Sequence, residues 1–111
     1  MDKLSGYRNV IKQVLAQHAE YTPSHGQIET IPIFDERNDN YLLVDVGWDR
    51  TGRVHCVALH LRIKNGKVWI EQDGTEEGVT GELLDAGIPK EDIVLGFYRP
   101  ERRKITDFAV V

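Results

Sequence analysis

The sequence predicts an α+β domain: an antiparallel sheet of about five strands in a meander of hairpins, an amino-terminal amphipathic helix, and a second short helix after the central hairpin. Three observations carry this. Asn65-Gly66 stands between two β-rich runs, RVHCVALHLRIK and KVWIEQ, and that dipeptide suits a type I′ turn, in which both central residues take positive φ. Apolar residues near the start recur three or four positions apart, as on one face of a helix. Further β-rich runs, each bounded by polar or Gly/Pro-containing turns, lie on both sides of the hairpin.

The helix is expected over residues 3–19, where Leu4, Tyr7, Ile11, Val14, Leu15 and His18 form the stripe. Thr22-Pro23-Ser24-His25-Gly26 should end it, because Pro cannot continue a helix. QIETIPIF, from Gln27 to Phe34, reads as a strand, and Pro32 assigns it to an edge because it has no N–H for a second neighbour. DERNDN is a polar loop, and YLLVDVGW, from Tyr41 to Trp48, is the next strand.

The Asn65-Gly66 turn sets Lys64 opposite Lys67, then Ile63 opposite Val68, Arg62 opposite Trp69, Leu61 opposite Ile70 and His60 opposite Glu71. In the preceding hairpin, Trp48 opposite Arg53 brings Val44 to Val57 and Leu42 to Leu59. Both registers agree on a buried face of Leu42, Val44, Val57, Leu59, Leu61, Ile63, Val68 and Ile70. Tyr41, Leu43, Asp45, Val54, Cys56, Ala58, His60, Arg62, Trp69 and Glu71 fall on the reverse face, a mixed surface suited to partial solvation or a partner. Asp73 or Thr75 can cap the second helix, with Glu76 and Glu77 near its positive end and Gly87 after it. Ile88-Pro89-Lys90-Glu91-Asp92 suits a single helical turn with Pro near its start, IVLGF a last strand, and the tail sets a basic run ahead of an apolar end.

The 111 residues are expected to form one domain, 1–111. Apolar and charged shares of 41% and 29% are those of an ordinary globule. No apolar run approaches membrane-spanning length, and MDKLSGYRN lacks a signal peptide's hydrophobic segment, so the cytoplasm is the expected compartment. Cys56 is the single cysteine and fits reducing surroundings. A net charge of −4 argues against broad nucleic-acid binding, which depends on lysines and arginines neutralising phosphates.

Enzyme chemistry finds little support. Cys56 and His60 point the same way from one strand but stand about 13 Å apart at ~3.3 Å per residue, beyond hydrogen-bond reach. Asp45, opposite Cys56, would disfavour the thiolate that a nucleophile needs. The four histidines lack metal-ligand spacing with cysteines, and Glu71, Asp73, Glu76 and Glu77 are explained by a helix start, so no metal or cofactor is expected. Glu76 and Glu77 would repel phosphate from the glycines at 74, 78 and 81. Contact candidates remain: Arg62 beside Trp69 as a cation–π pair, and the basic run Arg99, Arg102, Arg103 and Lys104, diluted by Glu101.

Several segments together, VGWD at 46–49, IKNGKVWIEQDGTEEG at 63–78, AGIPKEDIVLGF at 86–97 and RKITDFAV at 103–110, give a whole-chain likeness. In these the chain resembles the XisI family, the fdxN-element excision controlling factors of filamentous nitrogen-fixing cyanobacteria. The resemblance implies a small α+β protein that works with a companion, XisH, so that a site-specific recombinase can excise a DNA element during heterocyst development. It carries over no catalytic residue. The expectation is a non-enzymatic accessory factor touching XisH or the recombinase, as a homodimer. A direct DNA-binding protein and an antitoxin-like inhibitor of a nuclease-like XisH are the alternatives.

Overall fold

The computed structural model describes residues 2–20, 27–75 and 78–111. Helix α1 spans Lys3–Glu20. Strands β1 (Gln27–Asp35), β2 (Asn40–Asp49), β3 (Gly52–Lys64) and β4 (Lys67–Asp73) follow. Helix α2 (Thr80–Asp85), a 3-10 turn at Lys90–Asp92, strand β5 (Ile93–Leu95) and helix α3 (Pro100–Arg103) complete the order. The strands form one sheet in the order β1-β2-β3-β4-β5. The first four are antiparallel. β5 is parallel to β4, so the sheet is mixed where a meander was expected. A parallel return needs a crossover, and residues 74–92, which contain α2, provide it.

α1 starts where Asp2 accepts the Ser5 amide at 2.7 Å, a side-chain cap for one otherwise unpaired donor. Its stripe is confirmed: Tyr7, Ile11, Val14 and Leu15 are buried against the sheet. Each such aliphatic contributes about 1.5–3 kcal/mol by leaving water. The helix break expected at 22–26 lies outside the described residues, as do Glu76 and Glu77. α2 begins at Thr80, later than a start capped by Asp73 or Thr75 would require. Asp73 still reaches its entrance, accepting the Val79 amide at 2.7 Å.

The tip of the central hairpin is as expected. Asn65 and Gly66 take φ of 54° and 77°, and the pairs from Lys64/Lys67 to Leu61/Ile70 hold. Beyond them the register slips at a bulge, so His60 faces Gln72 and the expected His60/Glu71 pair does not form. A second bulge interrupts β2 and β3: Val44 faces Val57 as expected, but Leu43 faces Leu59 and Leu42 faces His60. The extra residues are Ala58 in β3 and Glu71 in β4. A one-residue slip exchanges the two faces of a strand. Tyr41 and Leu43 therefore enter the core with Leu59, Leu61, Ile63, Val68 and Ile70, whereas Leu42, Val44 and Val57, expected inside, lie half-buried on the opposite side. The Ala58 bulge is held by contacts distant in sequence: its carbonyl accepts the Gly74 amide at 2.7 Å, and the Val57 carbonyl accepts Gln72 Nε2 at 2.5 Å. A Cβ at position 74 would stand 2.7 Å from the Ala58 oxygen, which explains glycine there.

Candidate interaction surface

Two clusters of titratable groups fasten α1 to the sheet. Arg8 donates to both carboxylate oxygens of Asp39, at 2.8 and 3.1 Å, and the Tyr41 hydroxyl donates to the same group at 2.9 Å. The Arg8 bonds hold the Asp39 carboxyl below its ordinary pKa against the effect of burial. On the turn before β5, Asp92 accepts the Tyr7 hydroxyl and pairs with Lys3 at 2.6 Å. Burial pushes the Asp92 carboxyl upward, but the bonds from Lys3 and Tyr7 outweigh it and the net shift is down. The Tyr7 phenol is driven far above its ordinary value, by burial first and then by Asp92. His18 and Glu82, 2.6 Å apart, join α1 to α2. These groups are consumed in joining elements.

Residues that suggested chemistry in the sequence are scattered. Cys56 is exposed, and Asp45, which is opposite it as expected, accepts the Thr30 hydroxyl at 2.8 Å. His60 lies 3.0 Å from Asn40 Oδ1, and burial keeps its imidazole below the ordinary pKa. Among the described residues, no three His, Cys, Asp or Glu side chains come together as metal donors.

The contact candidates separate into two groups. Arg62 stands beside Trp69 in register but forms its ion pair with Glu71, 3.1 Å away, and the cations over the Trp69 ring are Lys64 and Arg103, at 4.8 and 5.1 Å. The bulge explains this exchange, because it sets Glu71 free from His60. Trp69 is buried, with its indole N–H donating to the Lys64 carbonyl at 3.2 Å. Arg103 likewise turns inward. It donates to the Tyr98 carbonyl at 2.9 Å and reaches the Gly96 and Val110 carbonyls at 3.4 Å. It thus fastens the tail over β4 and β5, where Ala109 bridges to Val94. Three of the four bases in the run stay outside: Arg99, Arg102 and Lys104 are exposed, Arg102 lying 5.0 Å over the Tyr98 ring.

Sequence reasoning missed the neighbours of these bases. Phe97 is 49% exposed and Ile105 is 82% exposed, and with Tyr98, Arg99, Glu101 and Arg102 they line an open groove of about 480 Å³. The run IVLGF places Phe97 in the last strand, but β5 ends at Leu95 and leaves it on a turn. The groove joins an apolar floor to guanidinium groups, the residue types that dominate protein contact sites.

The fold and this surface together define a class, a small open-sheet α+β protein with its long helix on one face and a groove of Phe97, Tyr98, Ile105 and exposed arginines near its carboxyl-terminal end. The family model described as XisI protein matches residues 1–110, and the chain belongs to the XisI family. A crystal structure of a XisI-like protein from Anabaena variabilis superposes with a TM-score of 0.91 at 35% identity, covering 98% of this chain and 100% of the other. Another, of the fdxN element excision controlling factor XisI from Anabaena variabilis, gives 0.85 at 40% identity over 99% and 100%. No curated protein matches at a significant level.

Proposed function

We propose that this chain is a non-enzymatic controlling factor in the excision of a DNA element, acting in the cytoplasm through contact with a XisH-like protein or the recombinase. The likeness to the Anabaena variabilis excision controlling factor supports the role. The observation that supports action by contact is the exposed groove of Phe97, Ile105, Arg99 and Arg102. Its apolar floor and basic rim suit an acidic, partly apolar segment of a protein. The engagement of Tyr7, Asp39, Tyr41 and Asp92 in joining α1 to the sheet supports the non-enzymatic reading, since active sites are where shifted groups stay available.

Co-expression with the XisH-like protein, followed by affinity purification, tests this. The wild-type chain should retain its partner, and Ile105→Glu should release it without altering the melting temperature. Two folded proteins that never associate would overturn the proposal. The outward placement of Arg99, Arg102 and Lys104 favours direct DNA contact as the second reading. Duplex retention at low salt, lost in Arg99→Ala/Arg102→Ala and falling steeply with added salt, would select it instead.

A further inference from the structure

The segment that follows β5 is held from within and open on its outer side. Arg103 donates to the carbonyls of Gly96, Tyr98 and Val110, so the chain between them is fixed before any partner arrives, which lowers the ordering cost of binding. The outer side is ordered too. The Arg102 amide donates to the Arg99 carbonyl at 2.9 Å, and the Ile105 amide donates to the Arg102 carbonyl at 3.3 Å. Bonds of this span set side chains three residues apart one above the other. Arg99, Arg102 and Ile105 therefore form a row, two guanidiniums and then an aliphatic that is 82% exposed. Phe97, Tyr98 and Glu101 line the same groove.

The bases of this row are uncommitted. Among the described residues Arg99, Arg102 and Lys104 form no ion pair. Arg102 lies 5.0 Å over the Tyr98 ring, a contact that steadies the side chain without consuming its N–H donors. In a chain of net charge −4, these bases make a local positive excess beside an apolar floor. A carboxylate can take two parallel bonds from a guanidinium, and an apolar side chain seated at Phe97 and Ile105 leaves water. A phosphate backbone would use the bases, but it gains nothing from Ile105, and Glu101 would repel it. The chemistry favours a protein segment.

We infer that the groove selects a segment of a partner protein by a definite order of chemistry. Carboxylates lie against Arg99 and Arg102, an aliphatic or aromatic side chain lies against Phe97 and Ile105, and an uncharged or basic residue lies against Glu101. This rests on the reading of the groove as a protein contact site and adds what that contact selects. Glu101 is the discriminating residue, because it penalises a further acid and so disfavours a uniformly acidic chain.

Titration of the isotope-labelled full chain with synthetic peptides, followed by amide chemical shifts, tests the inference. Two probes carry two glutamates and a leucine at three-residue spacing, one in each chain direction. Controls carry lysines for the glutamates, or glutamate throughout, and a short DNA duplex is titrated alongside. One of the two probes should shift residues 97–105 and bind about tenfold more tightly than its lysine control. Arg99→Glu/Arg102→Glu should weaken that binding about tenfold, since two attractions become repulsions, and Glu101→Gln should tighten it about twofold. A structural role for Glu101 would give no such gain. Equal binding of the lysine or all-glutamate control, or no shift at residues 97–105, overturns the inference. Shifts there that follow duplex concentration instead, or protein concentration without peptide, give the groove to DNA or to a second copy and also refute it. A XisH-like protein retained equally by wild type and by Arg99→Glu/Arg102→Glu would refute this inference and leave the proposed function standing. Probe binding as expected, with a XisH-like protein that never associates, would do the reverse.

Discussion

Replacing Arg103 separates fastening from recognition within the basic run. Its guanidinium makes one short bond to the Tyr98 carbonyl, two long ones to Gly96 and Val110, and a stacking contact with Trp69. A hydrogen bond to a charged group contributes about 1.5–3 kcal/mol, and a partly exposed cation–π contact about 0.5–1 kcal/mol. The 3.4 Å bonds add little. Arg103→Ala should therefore cost about 2–4 kcal/mol. For a 111-residue domain unfolding with ~2.1 cal/mol/K per residue, that lowers Tm by roughly 9–17 °C. Arg103→Lys keeps the charge but loses the planar fork, and should fall about midway. Arg99→Ala and Arg102→Ala should each stay within about 0.5 kcal/mol of wild type. Urea unfolding followed by Trp69 fluorescence, with thermal melts alongside, measures all four. Arg103→Ala melting within 2 °C of wild type (roughly 0.5 kcal/mol by the same conversion) would refute the fastening role.

Tyr7→Phe leaves Asp92 with Lys3 alone and should cost about 1.5–3 kcal/mol at neutral pH. The folded-state pKa of Asp92 lies below its ordinary 3.8, so its stabilisation is complete above that value and fades as pH falls through the lowered one. The gap between variant and wild type, followed by urea titration from pH 7 to pH 2, should narrow at the acid end, and a widening gap would contradict the assignment. Gly47→Ala should prevent native pairing of β1 with β2, because φ is 155° and the added Cβ would fall 1.9 Å from the Gln27 carbonyl oxygen. Fast amide exchange across β1, or failure to fold, is the expected readout.

The sequence made the order of elements legible because its signals were local. Asn65-Gly66 determined the hairpin tip, the stripe from Tyr7 to Leu15 determined the helix, and Pro32 marked the edge strand. What it hid was a matter of one residue in each of two strands. Alternation presumes an unbroken ladder, and nothing near Ala58 announces that Gly74 and Gln72, more than a dozen positions away, will hold the chain in a bulge. That slip exchanged Leu42 and Val44 for Tyr41 and Leu43 in the core and left an aliphatic surface opposite. The parallel direction of β5 was hidden for a similar reason, since the crossover needs only enough chain. Within the contact candidates, the basic run was visible as composition. The inward turn of Arg103 depended on a tail that folds back over Trp69, a contact between residues 34 positions apart.

Both borders of the sheet are closed to another strand. On β1 the unbroken ladder with β2 leaves the nitrogen of Pro32 on the outer side, where it has no hydrogen to offer, and beyond β5 the place of a sixth strand is taken by Ala109. Growth by adding strands would generate ribbons of indefinite length. Pro32 on one border and Ala109 on the other therefore oppose ribbon growth by strand addition. Concentrated solutions of the protein should therefore form no fibres by strand addition.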